Sequence, residues 1–512
     1  MGLLTPRWQV VADALADDDA AAAPAEVVAP MSEAKGRADL GAYHAASRSD
    51  RTADWTDRDP GPQTISEESP LIRARSRDLC RNNPHAKSAV SRLVSGLVGT
   101  GIRPQVRTGD EMIRAEIAGP TWKRGARVRV ADYLEWLWDV WQRDCYRSGR
   151  TGVYGLQAMS VRGMIESGGS LLRKRITLRD GLTVGLQLQV IEDDFLDASK
   201  TESYGGNEIV QGVEFNPVDQ IVAYWLHRKH PSGRGSWSEP SVRVDAAEII
   251  HLWDQPGGRP GQVRGIPWLA PVALALRDLD GYADAELVRR QVAACLAVLI
   301  QTDDEDGTDF GVTSTGKDGR PIASLKPGLI ARVRNGETIT TISPPPAGDY
   351  GPYLDRAEHR VAAGVGVTYE DMTGDLSKVN YSSIRYGSLG FRRWVDSFQE
   401  LTLGPLLMDP MWSWFVDACQ VSRVLPLGFP VAPVEWQPQR HDDVDALKER
   451  NADARDLANG TTSIQRVIRR RGDDPEQVRR EIAEDMLWLQ GIGLAWPAAT
   501  AGRVTEDPQA AQ

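Results

Sequence analysis

The sequence predicts an α+β fold with about three domains, at roughly 150 residues per domain. Its 512 residues are 41% hydrophobic and 26% charged, a composition typical of a folded soluble protein. Apolar residues recur at helical spacing in both halves of the chain, whereas residues 171–252 show the alternation of strands. These three observations together favour helical segments packed around at least one antiparallel sheet.

The first 70 residues are rich in Ala, Asp, Ser and Pro, which predicts a largely disordered arm. Helical patterning starts at "SPLIRARSRDLCRNN" and stops at Asn83. Pro84, at a favourable first-turn position, opens a second helix that ends at "GTG" (99–101).

The Gly-x-Gly at 99–101 follows a helix. A dinucleotide-binding motif requires the glycines to follow a strand, so we do not predict a cofactor site here.

A third helix is predicted from "DYLEWLWDVWQRDC", where the apolar positions follow helical spacing. These positions are Leu134, Leu137, Trp138 and Trp141. Five strand-like runs follow between residues 171 and 252, separated by turn signals such as "RDG" and "NPVDQ". Residues 171–252 therefore read as part of an α+β domain with a meander-like antiparallel sheet.

The second half predicts a long helix over about Pro271–Leu299, then short strands and the proline stop "PPP", then a helix in "YLDRAEHRVAAGVG". Within the interior of the long helix, Gly281 is the residue with the lowest helix propensity. Further on, an apolar stripe at helical spacing predicts another helix, and a final helical pair lies in "TTSIQRVIRRRG" and "DPEQVRREIAEDMLWLQG". The stripe consists of Phe391, Trp394, Val395 and Phe398.

The net charge of −11 excludes a protein that coats nucleic acid through an overall positive charge. Any contact with DNA therefore requires local basic patches or is weak.

The four cysteines are scattered along the chain, and none has the spacing of a zinc site. This pattern favours a reduced, cytoplasmic-type compartment. The N-terminus turns acidic too early for a signal peptide. The longest uncharged apolar run (291–302) is shorter than the about 20 residues that span a bilayer, so we predict no membrane association.

Two loops resemble a nucleotide site and a metal site, but each lacks residues that the site requires. "GVTSTGKD" (311–318) has Asp318 where a P-loop needs a hydroxyl, and Pro321 prevents the following helix. "TDDEDGTDF" (302–310) places threonine at the first and last positions of a calcium loop, where carboxylates are required.

The acidic run "IEDDFLD" (191–197) is the remaining metal candidate. Its neighbouring carboxylates point to opposite faces of a strand, so they converge poorly on an ion. We interpret the run as a turn at a strand end. No cofactor and no metal is predicted.

The stretch "GDLSKVNYSSIRYG" (374–387) concentrates polar and basic residues in a glycine-flanked segment. They are Lys378, Asn380, Tyr381, Ser382, Ser383 and Arg385. Three interpretations are open: a serine active site, a surface that contacts phosphates, or a loop followed by a helix that Ser382 or Ser383 caps near Ile384. Composition alone favours the loop and cap.

Serine catalysis requires a base and an oxyanion hole. No G-x-S-x-G occurs, and His359, the nearest histidine in sequence, lies more than twenty positions before Ser382 on a predicted helix. His251 ends an apolar strand and reads as a structural residue. We therefore predict no catalytic residue.

Four stretches of the chain form a recognisable series: "RARSRDLCRNNPHAKSAV", "EIIHLWDQPGGRPGQVRGIPWLAPV", "LKPGLIARVRNGETITTISPPPAGDYGPYL" and "GVGVTYEDMTGDLSKVNYSSIRYG". Within them, "RPGQVRGIPWLAP" and "NYSSIR" are the specific motifs. On these stretches and their order, the chain resembles the lambda-type phage portal family from about Gly41 to Gly491.

The resemblance implies a portal fold that forms a dodecameric ring with a central channel. Its parts would be the arm (1–70), the first part of the wing (71–266), a stem helix (267–300), the clip (301–349), a second stem helix (350–368), the tunnel loop (369–383), a long wing helix with its return (384–440), the crown helices (441–495) and a flexible tail (496–512). Lys378, Asn380, Tyr381, Ser382 and Arg385 would then be candidates for residues that face DNA in the channel.

The resemblance also implies the partners and the setting. The ring would sit at a capsid vertex of the virion after assembly in the bacterial cytoplasm, and double-stranded DNA would pass through it without sequence preference. It would contact the major capsid protein, the terminase large subunit, which hydrolyses ATP, and later the head-completion and tail adaptor proteins. The alternatives are another phage connector or structural subunit and, from a different class, an ATPase or serine hydrolase.

Overall fold

The computed structural model describes most of the chain beyond the N-terminal arm. The described residues are 61–177, 181–232, 239–295, 299–301, 313–315, 321–323, 331–333, 350–377, 380–439, 441 and 445–494. They combine helices and sheets, so the predicted α+β class is confirmed.

The described residues form twelve α-helices. These are α1 (Pro62–Asn82), α2 (Pro84–Leu97), α3 (Val130–Asp144), α4 (Val153–Ser167), α5 (Ala273–Cys295), α6 (Tyr350–Val365), α7 (Tyr369–Thr373), α8 (Tyr381–Phe398), α9 (Asp409–Val421), α10 (Ala446–Ala458), α11 (Ile464–Arg470) and α12 (Pro475–Gly491). Among them, none combines the length and the hydropathy needed to cross a membrane.

The described residues also form sixteen strands. These are β1 (Arg103–Val106), β2 (Met112–Arg114), β3 (Arg127–Arg129), β4 (Gly169–Ile176), β5 (Leu186–Glu192), β6 (Glu202–Tyr204), β7 (Asn207–Val210), β8 (Val213–Phe215), β9 (Ile221–Leu226), β10 (Val242–Asp245), β11 (Ile249–Trp253), β12 (Leu299–Gln301), β13 (Thr313–Thr315), β14 (Pro321–Ala323), β15 (Ala331–Val333) and β16 (Val434–Gln437).

Helix α1 starts earlier than the sequence predicts, because residues 62–70 are helical and not part of a disordered arm. Pro62 takes the first helical position, where its missing N–H costs no hydrogen bond. Ser69 and Arg73 are both buried, so this turn is held by packing against the rest of the fold. Residues 1–60 of the predicted arm lie outside the described residues.

The break between α1 and α2 lies where the sequence predicts it. Asn83 caps α2, since its side-chain oxygen accepts a hydrogen bond from the Ala86 N–H at 2.8 Å. Its side-chain nitrogen also donates to the Asp280 carboxylate at 2.9 Å. One residue therefore ends α1, starts α2 and ties both to α5.

The apolar stripe of α3 is the centre of the core, as predicted. Its side chains pack against α9, where the ring centroids of Trp138 and Phe415 are 5.2 Å apart. Trp138 is also 5.6 Å from Trp412, centroid to centroid. The four predicted core residues Leu134, Leu137, Trp138 and Trp141 are all buried.

The prediction of one meander sheet over residues 171–252 is wrong, because the strands divide between two sheets. One sheet has the order β11-β4-β5, and the other has the order β10-β9-β8-β7-β6. The predicted run "EIVQGVEFN" is a hairpin of two strands, since Gln211 (φ 50°) and Gly212 (φ 82°) turn the backbone sharply.

A buried ion network joins α1, the end of β5 and the segment that leads to α5. Asp193 accepts hydrogen bonds from Arg73 and from Arg264, and its Oδ1 lies 3.4 Å from Nε2 of His251. Arg264 also donates to the Asp193 main-chain oxygen at 2.7 Å. His251 lies in the middle of β11 and not at its end. It is buried beside Asp193, which fits the structural role that the sequence predicts.

The acidic run at 191–197 forms a turn at a strand end, as predicted, because Asp193–Phe195 is a 3-10 turn directly after β5. Among the described residues, Glu192, Asp194 and His230 bring three ligand atoms within 4.8 Å of one another. The Arg77 guanidinium contacts both carboxylates and offsets part of their negative charge within the chain.

Helices α5 and α6 pack side by side, with the Tyr282 and Tyr353 ring centroids 4.8 Å apart. Between them, β12 pairs in parallel with β15, and β13 pairs antiparallel with β14. The P-loop-like segment lies outside the described residues apart from Thr313–Thr315, and so does the calcium-loop-like segment 302–310.

The last part of the described chain contains one helix more than the predicted terminal pair. Helix α10 precedes the predicted α11 and α12, and Ser463 and Asp474 cap the latter two. The sequence of α10 is dominated by charged residues and has no buried residue, so it lacks the apolar stripe that signals a helix.

Candidate nucleic-acid interface

The candidate segment, residues 374–385, connects α7 to α8. Asn380 is exposed and is the last residue before α8, Tyr381 and Ser382 lie in its first turn, and Arg385 is exposed in its second turn. Lys378 lies outside the described residues. The structure therefore brings four of the five predicted residues to one helix terminus.

The predicted helix start near Ile384 is wrong, because α8 begins at Tyr381. Asn380 takes the position before the helix, and asparagine favours that position as strongly as serine does. Ser382 and Ser383 consequently lie inside the helix and not at the position before it. The polar stretch is thus a short loop followed directly by helix.

The first part of the predicted tunnel loop is also helical. The Thr368 hydroxyl caps α7 by accepting a hydrogen bond from the Asp371 N–H at 3.2 Å. Gly374 ends α7 in a left-handed conformation (φ 76°), and its N–H bonds the Glu370 carbonyl at 2.7 Å. The Asp375 carboxylate then accepts from the Ser377 N–H at 2.9 Å, which fixes the following turn.

Helix α7 is anchored on its inner side. Met372 is buried, and α7 packs against α2 and α6. The ring of His359 on α6 stacks on Tyr369, with centroids 4.0 Å apart and planes 8° from parallel. Burial raises the pKa of Tyr369, and the negative charges of Glu358 and Asp355 add to the effect.

The same contacts bear on the serine-hydrolase interpretation. His359 Nδ1 is hydrogen-bonded to the Asp355 main-chain oxygen at 2.7 Å, and its ring is covered by Tyr369. The nearest histidine in sequence is therefore held in a helix–helix contact, a structural setting for an imidazole.

Helix α8 presents an inner apolar side and an outer polar side. Val395 and Phe398 are buried, and Trp394 packs against Trp268 with centroids 5.7 Å apart, which confirms the predicted stripe. On the outer side Tyr386 is 83% exposed, next to Arg385. Sequence reasoning missed Tyr386, although an aromatic residue outside the apolar stripe is the signal that marks it.

Charge is distributed unevenly along the segment. Glu370 and Asp371 precede it and Asp375 lies at its start, whereas Arg385 at its end and Arg393 further along α8 are exposed. The first N–H groups of α8 add partial positive charge at the same terminus. This arrangement suits weak contacts with phosphate oxygens, which arginine, asparagine, serine and tyrosine make without reading base sequence.

Curated proteins similar to this chain include two phage proteins. The chain is 28% identical over 336 residues to the probable portal protein of Halomonas phage phiHAP-1, covering 62% of each protein. It is 22% identical over 335 residues to portal protein B of Escherichia phage lambda, covering 56% of this chain and 60% of the relative. The match thus spans less than two thirds of the length of either relative.

Solved structures with a similar chain include two neck structures of gene transfer agent (GTA) particles. The neck of the empty GTA particle aligns with 15% identity and a TM-score of 0.43, covering 78% of this chain and 94% of that one. The neck of the native GTA particle aligns with 16% identity and a TM-score of 0.41, with the same coverage.

The family assignment rests on a match of a different kind. The family model described as "Phage portal protein, lambda family" matches residues 48–399, well over half of the chain. The matched region includes both β-sheets of the 171–252 region, the α5–α6 pair and the candidate segment. The chain belongs to the lambda family of phage portal proteins.

Proposed function

We propose that this chain forms the portal ring at one vertex of a phage head, and that double-stranded DNA enters and leaves through the channel of the ring. The family match over residues 48–399 carries the proposal. A portal protein is a structural component of the particle, so the assignment agrees with the expectation that the chain is not an enzyme. ATP hydrolysis would belong to the terminase that docks on the ring.

Within such a ring, α5 and α6 would form the stem, the residues between them the clip, and α10–α12 the crown. Residues 374–385 would face the channel. The major capsid protein would hold the outer edge of the ring, the terminase large subunit would bind it during packaging, and head-completion and tail adaptor proteins would bind it afterwards. We propose a dodecamer.

The acidic charge of the chain supports the role of a conduit. A ring in which each subunit carries −11 repels phosphates overall, so DNA can slide and is not gripped. Only a few cations, such as Lys378 and Arg385, would then touch the backbone, through contacts that salt weakens.

Electron microscopy of the purified protein tests the proposal directly. We expect closed rings with a central opening wide enough for a DNA duplex, because the subunits of a portal are held in a ring before DNA arrives. A preparation that contains only monomers and dimers at high concentration would contradict the proposed function.

The double substitution Lys378→Ala with Arg385→Ala is expected to leave ring formation intact and to lower the amount of DNA packaged per head. The two substitutions remove two cations from the proposed channel surface, and with them sequence-independent phosphate contacts. The DNA content of particles assembled with each variant measures the effect.

A matched control removes the same charge elsewhere. Lys123→Ala with Arg124→Ala changes two exposed cations in the loop before β3, and normal packaging is expected. Equal DNA content in the channel variant and in wild type, or loss of its ring, would show that Lys378 and Arg385 lack the proposed role.

A further inference from the structure

The last turns of α12 and the three residues after it, Ala483–Leu494, project from an anchored base and are called the outer end of α12. Glu476 in the first turn of α12 lies 2.6 Å from Arg129 (Oε2 to Nη1), and Arg480 Nη2 lies 2.9 Å from Asp132 Oδ1. These ion pairs fix the direction of α12 relative to α3. The free end is therefore held in one orientation before it meets any partner.

The length of α12 makes the end project. At 1.5 Å per residue, the seven residues of α11 span roughly 10 Å, whereas the seventeen residues of α12 span roughly 25 Å. Helix α11 packs against α12 but can cover only part of its length. From Ala483 to Leu494 every side chain is exposed except that of Leu489, which is half-buried.

One turn of this outer end, Met486–Leu489, is apolar on every side. Its four residues are consecutive, so at about 100° per residue they point in four directions around the helix. Leu487 is 70% exposed and Trp488 is 65% exposed. A helical turn that is hydrophobic all round is expected to be buried in its working state.

A single groove would cover one face only, whereas a position between identical neighbours covers several. In a closed ring each subunit has a neighbour on both sides, joined by head-to-tail contacts in which two different surfaces meet. The all-round apolar character of this turn therefore fits a second copy of this chain better than a partner that binds from one direction.

Helix α11 has properties complementary to those of the outer end. The outer end contains Glu484 and Asp485 and no basic residue. Helix α11, by contrast, exposes Arg466 and the apolar side chain of Ile464 (61%), whereas its Arg470 is already paired with Asp453 at 3.0 Å. An acidic and apolar end thus matches a basic and partly apolar helix.

We propose that the outer end of α12 docks on α11 of the next copy of this chain, and that its remaining sides face the equivalent ends of neighbouring copies. This inference rests on the proposed ring and adds the surface that closes it. The side chains of Leu487 and Trp488 are its apolar anchors, and Arg466 with Glu484 is its main charge pair.

The test replaces both anchors, Leu487→Glu with Trp488→Glu, in the full-length chain. We expect subunit association, measured by analytical ultracentrifugation, to weaken at least about tenfold, because losing buried anchors of this size commonly has that effect. The thermal midpoint of the monomer should not change, since both side chains are exposed there. The control Val218→Glu with Leu427→Glu adds the same charge at exposed apolar positions and should assemble normally.

A second variant keeps the test decisive if the first one folds poorly. Arg466→Glu should weaken assembly, and adding Glu484→Arg should restore it, because the charge pair is then reversed. Hydrogen exchange gives an independent measure, and the amides of residues 483–494 should exchange more slowly in rings than in monomers.

The outcomes separate the two proposals. If wild type forms rings and the anchor variant forms the same rings, with unprotected amides at 483–494, the docking inference is wrong and the ring stands. If wild type forms no rings at all, the proposed function fails, and the inference fails with it.

Discussion

Replacement of Asp193 with alanine is expected to lower the free energy of unfolding by about 3–5 kcal/mol, because breaking a buried ion pair leaves its partners uncompensated. Arg73 and Arg264 are 2% and 1% exposed, and both donate to the Asp193 carboxylate. Without the carboxylate, the buried Arg264 would lose its acidic partner, and Arg73 would keep the more distant Asp194, 3.8 Å from its Nε. Urea unfolding of the variant and of wild type measures the loss.

The matched control is an exposed ion pair in the same region. Glu202 lies 2.6 Å from Lys200 and is more than half exposed, so Glu202→Gln should change the free energy of unfolding by at most about 1 kcal/mol. If the Asp193 and Glu202 variants unfold at the same urea concentration, the buried network does not have the stabilising role described.

The contribution of Asp193 should also depend on pH with a definite sign. Burial alone would raise the pKa of Asp193, but the charges of Arg264 and Arg73 and the nearby His251 imidazole outweigh it and hold the pKa below its usual range. The unfolded carboxyl has a pKa of about 3.9. The stabilisation is therefore complete above about pH 4 and is lost as the pH falls towards the folded pKa.

This network marks a limit of what the sequence can predict. Helical and strand periodicity identified the α3 stripe and the break at Asn83 correctly, because both signals are local. Arg73 and Asp193 are 120 residues apart, and a buried arginine has no periodic signature that separates it from an exposed one. Local patterns indicate which faces are buried, whereas the pairing of distant polar groups depends on the tertiary fold.

The candidate segment shows the same division. Its position came from resemblance to a family, since composition alone favoured a loop and a cap. The exact start of α8 was missed because Asn380 and Ser383 are both good caps, and local preference does not choose between them. The turn at Gln211 and Gly212 divides one predicted run into two strands of the same sheet. The division between two sheets depends on pairing of strands that are distant in sequence, such as β4 with β11.

The motif "VRGIPW" gains a physical explanation from Gly265. A Cβ at this position would lie 2.0 Å from the main-chain oxygen of Gly168, closer than any contact real side chains make. Gly168 caps α4 with φ 86°, and a Cβ there would in turn lie 2.6 Å from the Gly265 oxygen. Two backbone segments thus touch directly, next to Arg264 and a few residues before α5.

Gly265→Ala is therefore expected to destabilise the fold by at least about 1–3 kcal/mol, the usual cost of overpacking, because a backbone oxygen cannot rotate away as a side chain can. Gly281→Ala provides a control with the same chemical change. Gly281 is exposed within α5 and a Cβ there meets no atom within 4 Å, so alanine should stabilise the helix by about 0.5–1 kcal/mol.

The opposite signs make the pair of variants informative. If Gly265→Ala and Gly281→Ala shift the urea midpoint in the same direction, the close approach of Gly265 to Gly168 does not constrain the fold. If they diverge as expected, the glycine is required by backbone contact and not by flexibility. Because Gly265 lies between the ion network and the start of α5, the same substitution should also displace the proposed stem helix and reduce ring formation, which electron microscopy of the variant would reveal.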